Sequence, residues 1–366
     1  MPKNREAARK YNRTRVRLRL AGILCTILYL ALFQFLVSGR LKLFAISVTP
    51  NFSYAFTLYL FVFSLLYYAL DFPMHFYSGF ILEHKFRLSR QNFFAWLKDD
   101  VKRGLLSLAI FLVFIHVLYL FLQKFAATWW IWIAVFYLFA TVILARVAPL
   151  VIIPLFFKYY PVGDNLKKRI IELSGKCGIR ILDVYKIDFS RKTNKLNAAV
   201  VGMGKTRRVL LADNLIENFT EDEIAGVLAH EFGHHKMLHV WKILAFGAIS
   251  TFVSFYVLYV VSSGIAGALG AEHIYDMKVF PAFMLVLFLV GFLLMPLQNG
   301  FSRHLERGAD LFALKAIQNR GVFISLMTKL AERNLADPNP PKLVKLLFYD
   351  HPPIPERIKM AEKFSP

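Results

Sequence analysis

Residues 220–263 read TEDEIAGVLAHEFGHHKMLHVWKILAFGAISTFVSFYVLYVVSS, and this stretch decides what kind of fold the chain can adopt. Thr220 followed by Glu223 is a capping box, and Glu221, Asp222 and Glu223 suit the positive end of a helix dipole. The pattern predicts a helix from about Glu221, with nothing to break it before an apolar run at 241–263. That run is long enough to cross roughly 30 Å of hydrocarbon. On the same helix sits His230-Glu231-Phe232-Gly233-His234, which is H-E-x-x-H. Chemistry-bearing side chains therefore stand directly beside a membrane span.

Working outward, five more apolar stretches have spanning length: about 18–38, 53–71, 104–123, 128–148 and 279–298. The composition agrees, with 57% hydrophobic and 16% aromatic residues among 366 and a mean hydropathy of +0.48. A soluble domain has nearer 45–50% apolar residues. Disorder is excluded by 36 Phe and 16 Tyr, and a disulfide scaffold by only two cysteines, Cys25 and Cys177, both read as packing residues. The basic start followed by an apolar run resembles a signal peptide, but the run is too long and no A-x-A site follows, so it reads as an anchor.

The formal charge of +21 is explained by topology. With the N-terminus in the cytosol, that side collects eight Lys and Arg before the first span (Lys3 to Arg19), six in 72–103, fourteen in 149–240 and eleven in 299–366. The opposite loops receive Arg40, Lys42 and Lys124. Basic residues spread over every inside loop, without a reader motif, argue against nucleic-acid binding.

Between the fourth and fifth spans the chain punctuates like an α+β unit. A helix is expected over 166–177, stopped by Gly178, then a strand over 179–187 and two shorter strands, 196–201 and 208–212. The turn joining the last two, Gly202-Met203-Gly204-Lys205-Thr206, looks like part of a P-loop. Ala199 stands where that motif needs its first Gly and no helix follows, so a hairpin is expected.

Residues four apart share a helix face, so His230 and His234 can reach one Zn2+ ion, with Glu231 beside a water on it. A third ligand is required, and Glu306 supplies it from a helix leaving the sixth span on the same side. Asp310, one turn on, can fix the tautomer of a ligand imidazole, with His230 as the favoured partner. His235 and His239 are rotated about 100° and 140° from His234, and His304 points away from Glu306. All three read as helix-surface or interfacial groups. His116 is either a bundle-lining polar group or functional, and Arg146 snorkels.

These residues resemble the type I CAAX prenyl proteases, integral-membrane zinc endopeptidases, in a chain-ordered set of motifs from about residue 70 onward. The set comprises His75–Phe86, Ala148-Pro149-Leu150 through Pro161, Asn197–Gly202, Arg208–Asp213, His230–His234, Glu306–Ala313 and His351-Pro352-Pro353-Ile354-Pro355-Glu356-Arg357. The resemblance implies a ring of membrane helices around a chamber with the zinc site at its cytosolic end. It places Asn197, with Ala198, on an edge strand that aligns a peptide substrate by β-addition, and His351 and Arg357 near the reacting carbonyl. It implies that His75–Phe86 is a cytosolic loop. Two departures stand out: eukaryotic members have seven spans where this chain has six, and the chain is about a fifth shorter than expected of them. Both suggest a prokaryotic relative.

The expected fold is thus a multi-span α-helical membrane protein with a cytosolic zincin-like α+β catalytic domain, divided into 1–148 and 149–366. The expected activity is zinc-dependent peptide hydrolysis of CAAX type on peptide or protein substrates, lipidated or not, in contact with membrane lipids. The membrane would be a bacterial or archaeal plasma membrane, or the ER in a eukaryote. The alternatives are an HtpX-like quality-control protease without a prenyl requirement and, more remotely, a transporter or scaffold with structural zinc.

Overall fold

The computed structural model describes residues 5–202 and 204–365; Lys3 of the basic start and Met203 of the glycine turn lie outside them. Four long helices come first: α1 (Arg5–Val48), α2 (Phe52–Lys85), α3 (Phe93–Lys124) and α4 (Trp129–Phe156). There follow β1 (Tyr159–Pro161), α5 (Asp164–Lys176), β2 (Asp183–Ile187), β3 (Ala198–Val201), β4 (Arg208–Ala212), α6 (Asp213–Asn218) and α7 (Glu221–Lys236). Then come α8 (His239–Ala268), α9 (Phe280–Ile317), α10 (Arg320–Arg333), α11 (Lys342–Phe348) and α12 (Ile354–Glu362). Six helical segments, α1–α4, α8 and the one containing α9, are long and apolar enough to span a membrane among the described residues, and all overrun the expected spans. The segment containing α9 begins at Met277, so Lys278 joins Arg40, Lys42 and Lys124 at the ends remote from the peptidase unit.

Two regions with fully buried side chains are separated by a stretch of partly buried ones. At the ends remote from the peptidase unit, Phe56, Tyr59, Tyr119, Trp129, Phe280 and Phe283 are fully buried. Their rings interlock edge to face, as in Phe63 against Phe280 at 5.1 Å and 83°. Towards the α+β unit the contacts thin to local ones, such as Trp96 against Phe76 (5.4 Å) and Tyr68 donating to Asp100 (2.7 Å). No residue is buried between Phe283 and Arg303 of α9, between Phe63 and Leu82 of α2, or between Asp100 and Ile115 of α3.

The peptidase unit has its own core around a four-stranded sheet in the order β1-β2-β4-β3, where β2 and β4 are parallel and the other pairs antiparallel. The hairpin of β3 and β4 forms in the register Ala198 to Leu211, and Gly202 allows its turn. Its φ is +88° and an added Cβ would lie 2.6 Å from the Thr206 carbonyl. The strand expected over 179–187 begins only at Asp183, because the Ile179 N–H is used to close α5 on the Ser174 carbonyl. Likewise β3 begins at Ala198, since the Leu196 N–H donates to Asn334 Oδ1 (2.9 Å) instead of to a strand.

Two further expectations fail. His75–Phe86 is not a loop: α2 stays helical through a π turn at Tyr77–Ile81 to Lys85, and the chain turns only at Arg87 (φ +56°). Gly79 lets the Trp96 indole approach to 3.3 Å from where a Cβ would sit. The helix begun at Glu221 does not run into the fifth span either. It ends at Lys236, and Leu238 takes the left-handed conformation (φ +57°, ψ +31°) before α8 starts.

Candidate metal centre and peptidase site

The capping box on α7 is formed as expected: Glu223 N–H donates to Thr220 Oγ1 (3.3 Å) and Thr220 N–H to Glu223 Oε2 (2.8 Å). Ser325 (2.7 Å) and Lys329 (2.6 Å) hold the same carboxylate from α10. Gly233 sets the distance to α9. A Cβ there would stand 3.1 Å from the Phe312 ring and 3.3 Å from the Ala309 backbone, so only a glycine lets the two helices close to this spacing. Each helix then presents its polar side chains to the other.

The ligand-type atoms of His230, His234 and Glu306 lie within 4.8 Å of one another and could hold a metal ion. His230 Nε2 and His234 Nε2 are 3.2 Å apart. They face Glu306 Oε2 at 3.3 Å and Oε1 at 3.2 Å respectively. Glu306 Oε2 is buried yet makes no hydrogen bond, as fits an atom aimed at a shared cation. Burial pushes the His230 imidazole down, but hydrogen bonds to Asp310 and Glu306 outweigh it and raise its pKa to about 9. The pocket favours positive charge. The donor set fits zinc, with two imidazoles, one carboxylate and room for a further ligand.

Asp310 stands behind His230, its Oδ1 2.8 Å from Nδ1, and it is wholly buried. Arg357 clamps it from α12, donating through Nε to Oδ2 (2.7 Å) and through Nη2 to Oδ1. The guanidinium therefore lies on the far side of His230 from the metal point and is occupied there. His351, half exposed, reaches the other side, with Nε2 3.3 Å from Glu306 Oε1 and Nδ1 3.0 Å from Asp350. Burial would lower its pKa, but the Asp350 hydrogen bond and the Glu306 charge raise it above the usual imidazole value. Glu231 is half-buried, and its charge is felt by the Arg357 guanidinium.

The sheet edge meets the metal helix. Asn197 is exposed just before β3, and its carbonyl accepts from the Ala212 N–H (3.1 Å). The Val200 carbonyl lies 3.2 Å from His235 Nε2, on the opposite edge. By the two-residue alternation of a strand, the main chain of Ala198 faces the same outer edge as that of Val200. Lys195, two residues before Asn197, binds Glu83 (2.7 Å) and the Tyr11 hydroxyl (2.9 Å), so the first two membrane helices hold the start of β3.

Three histidines read alike in sequence diverge. His304 is exposed as expected. His235 is interfacial and ties α7 to β3, with Arg207 Nε donating to its Nδ1 (3.1 Å). His239 is not on a surface: it is 3% exposed and its Nδ1 is 3.0 Å from His234 Nδ1. The left-handed Leu238 invalidates the helical angle on which it was set aside. His116 bonds Thr57 Oγ1 (3.0 Å) and faces the Leu112 carbonyl (2.9 Å), lining the bundle. Arg146 is exposed, Cys177 is buried, and both cysteines are free.

A polar cluster of this make-up, held between a membrane-spanning helix and a packed α+β unit, is that of a membrane zinc metalloprotease. The chain belongs to peptidase family M48: that family's profile matches residues 163–365, and the profile "CAAX prenyl protease N-terminal, five membrane helices" matches residues 2–158. Among the described residues that segment carries four candidate spans. The metalloprotease YhfN of Bacillus subtilis is 30% identical over 310 residues, 83% of this chain and 72% of that protein. CAAX prenyl protease 1 of Saccharomyces cerevisiae is 30% identical over 318 residues, 81% and 69% of the two chains. The crystal structure of S. mikatae Ste24p superposes with a TM-score of 0.86 at 23% identity, over 99% of this chain and 89% of that one.

Proposed function

We propose that the chain cleaves extended peptides close to the cytosolic membrane face, in CAAX prenyl protease fashion. His230, His234 and Glu306 would hold the zinc, which would supply Lewis acidity to a water and to the scissile carbonyl. Glu231, beside that point, takes the water's proton and returns it to the leaving amine. His351, which the neighbouring carboxylates keep proton-rich, donates to the carbonyl oxygen as charge develops on it. Arg357 acts through Asp310, holding the carboxylate that orients His230. The substrate adds as a strand at the outer edge presented by the main chain of Ala198, beside the exposed Asn197, where main-chain groups give affinity without demanding one sequence.

The observation that supports a lipidated or otherwise membrane-bound substrate is the stretch between the two cores, where no side chain of α2, α3 or α9 is fully buried. The distribution of Lys and Arg supports a cytosolic N-terminus and peptidase unit, with residues 1–148 forming the membrane domain and 149–366 the peptidase domain. The extent of the match to the Bacillus protein supports a bacterial or archaeal plasma membrane. That relative is named only as a metalloprotease, which favours a second reading: general membrane-protein cleavage without a prenyl requirement.

Two peptides identical except for a farnesyl group on one cysteine separate these readings, with Glu231→Gln as the blank. Cleavage restricted to the lipidated peptide is the expected result. Equal cleavage of both would replace it with the second reading, and cleavage of neither would remove the CAAX assignment.

A further inference from the structure

We infer that His239 is a positioning residue that fixes which nitrogen of His234 faces the metal; the inference rests on His234 being a ligand. On an unbroken helix a residue five positions after His234 would point about 140° away from it. The chain instead spends a left-handed, non-glycine residue at Leu238, a conformation that costs roughly 1–2 kcal/mol, and this swings His239 inward at the first position of α8. The two rings meet edge to face with centroids 5.1 Å apart and Nδ1 atoms 3.0 Å apart.

That single contact constrains the protons. A neutral imidazole carries one N–H. His234 Nε2 is the atom turned to Glu306 and His230, so its lone pair must be free and the proton must sit on Nδ1. His234 Nδ1–H then donates to His239 Nδ1, and the proton of His239 is on its own Nε2. Were His239 the donor, His234 would be protonated on Nε2 and could not ligate. Gly308 of α9 lies against the ring, where a Cβ would stand at an ordinary contact distance of 3.5 Å from His239 Cε1. The two histidine ligands are thus oriented by unlike partners: His230 by the buried carboxylate of Asp310, His234 by a neutral ring. The anionic partner makes His230 the stronger donor and leaves His234 the weaker.

The test uses full-length protein in detergent and reads zinc affinity by competition with a chelator. His239→Leu fills the volume without an acceptor, whereas His239→Asn places an amide oxygen near the position of Nδ1. The Leu variant should bind zinc about 10- to 100-fold more weakly, and the Asn variant within about threefold of the parent. Equal loss in both variants, or no loss in the Leu variant, would overturn the inference. Should the Leu variant not fold, His239→Met against His239→Asn makes the same comparison. His234→Ala separates the underlying assumption: if it kept full zinc affinity, the ligand assignment itself would fall, whatever His239 does.

Discussion

The peptidase core and the membrane core bury side chains for different reasons. Around the sheet, Val209, Leu211, Leu228, Phe232 and Phe323 are fully buried, and removing their apolar surface from water is worth about 25 cal/mol per Å2. In the bundle no such force acts between helices, because lipid is as apolar as a side chain. What holds the remote ends together is shape and polar ties: interlocked rings, Tyr29 donating to the Phe63 carbonyl (2.5 Å), Ser38 with Tyr59 (2.7 Å) and Lys42 with Asp276 (2.5 Å). Lipid does not oblige a helix to close on its neighbour, so the bundle can be tightly packed at one end and less buried at the other.

Several changes would break or sharpen this contrast. The largest effect is expected from Glu231→Gln, a change in chemistry with neither core disturbed: turnover should fall about 10³-fold with bound zinc unchanged, both measured on one preparation. Asp310→Asn strands the buried Arg357 charge and loosens His230. It should destabilise the peptidase unit by about 3–5 kcal/mol, and hydrogen exchange should show the loss there and not at the remote end of the bundle. Phe280→Ala should act in mirror image, costing about 3 kcal/mol in the bundle. Leu293→Ala, in the stretch between the two cores and 72% exposed, should stay within about 0.5 kcal/mol. Equal costs for these two, read from thermal unfolding in detergent, would mean the bundle is packed throughout. Smallest is Glu223→Gln, about 1 kcal/mol at neutral pH from the lost charge facing Lys329. Burial would raise the Glu223 pKa, but Lys329, Ser325 and the Thr220 N–H lower it below the usual glutamate value. Its contribution is therefore present above that ordinary value and lost as pH falls through the lower folded one, so variant and parent should converge in acid.

Much of this was legible from local pattern. Six spans, the hairpin, the cap at Thr220, the rejection of a phosphate loop, and the set His230, His234 and Glu306 follow from periodicity, length and spacing, which act over a few residues at a time. The two helix errors share one cause. Arg87 and Leu238 adopt positive φ without being glycine, so nothing in the sequence marks the end of one helix or the break in another. Once the break at Leu238 was missed, the angle assigned to His239 was wrong. Arg357 could be matched to a motif, but its pairing with Asp310 is a contact across 47 positions that no local rule reports.

By itself the sequence determined that the described residues include six segments long and apolar enough to cross a membrane, and a metal-binding helix, because hydrophobic length and helical repeat are properties of contiguous residues. Tertiary structure alone decided how deep each packed region extends, that β3 offers its outer edge beside the metal helix, and that His239 stands behind His234. Those depend on which surfaces meet, and the close approach of α7 and α9 at Gly233 fixes that only after the whole chain has folded.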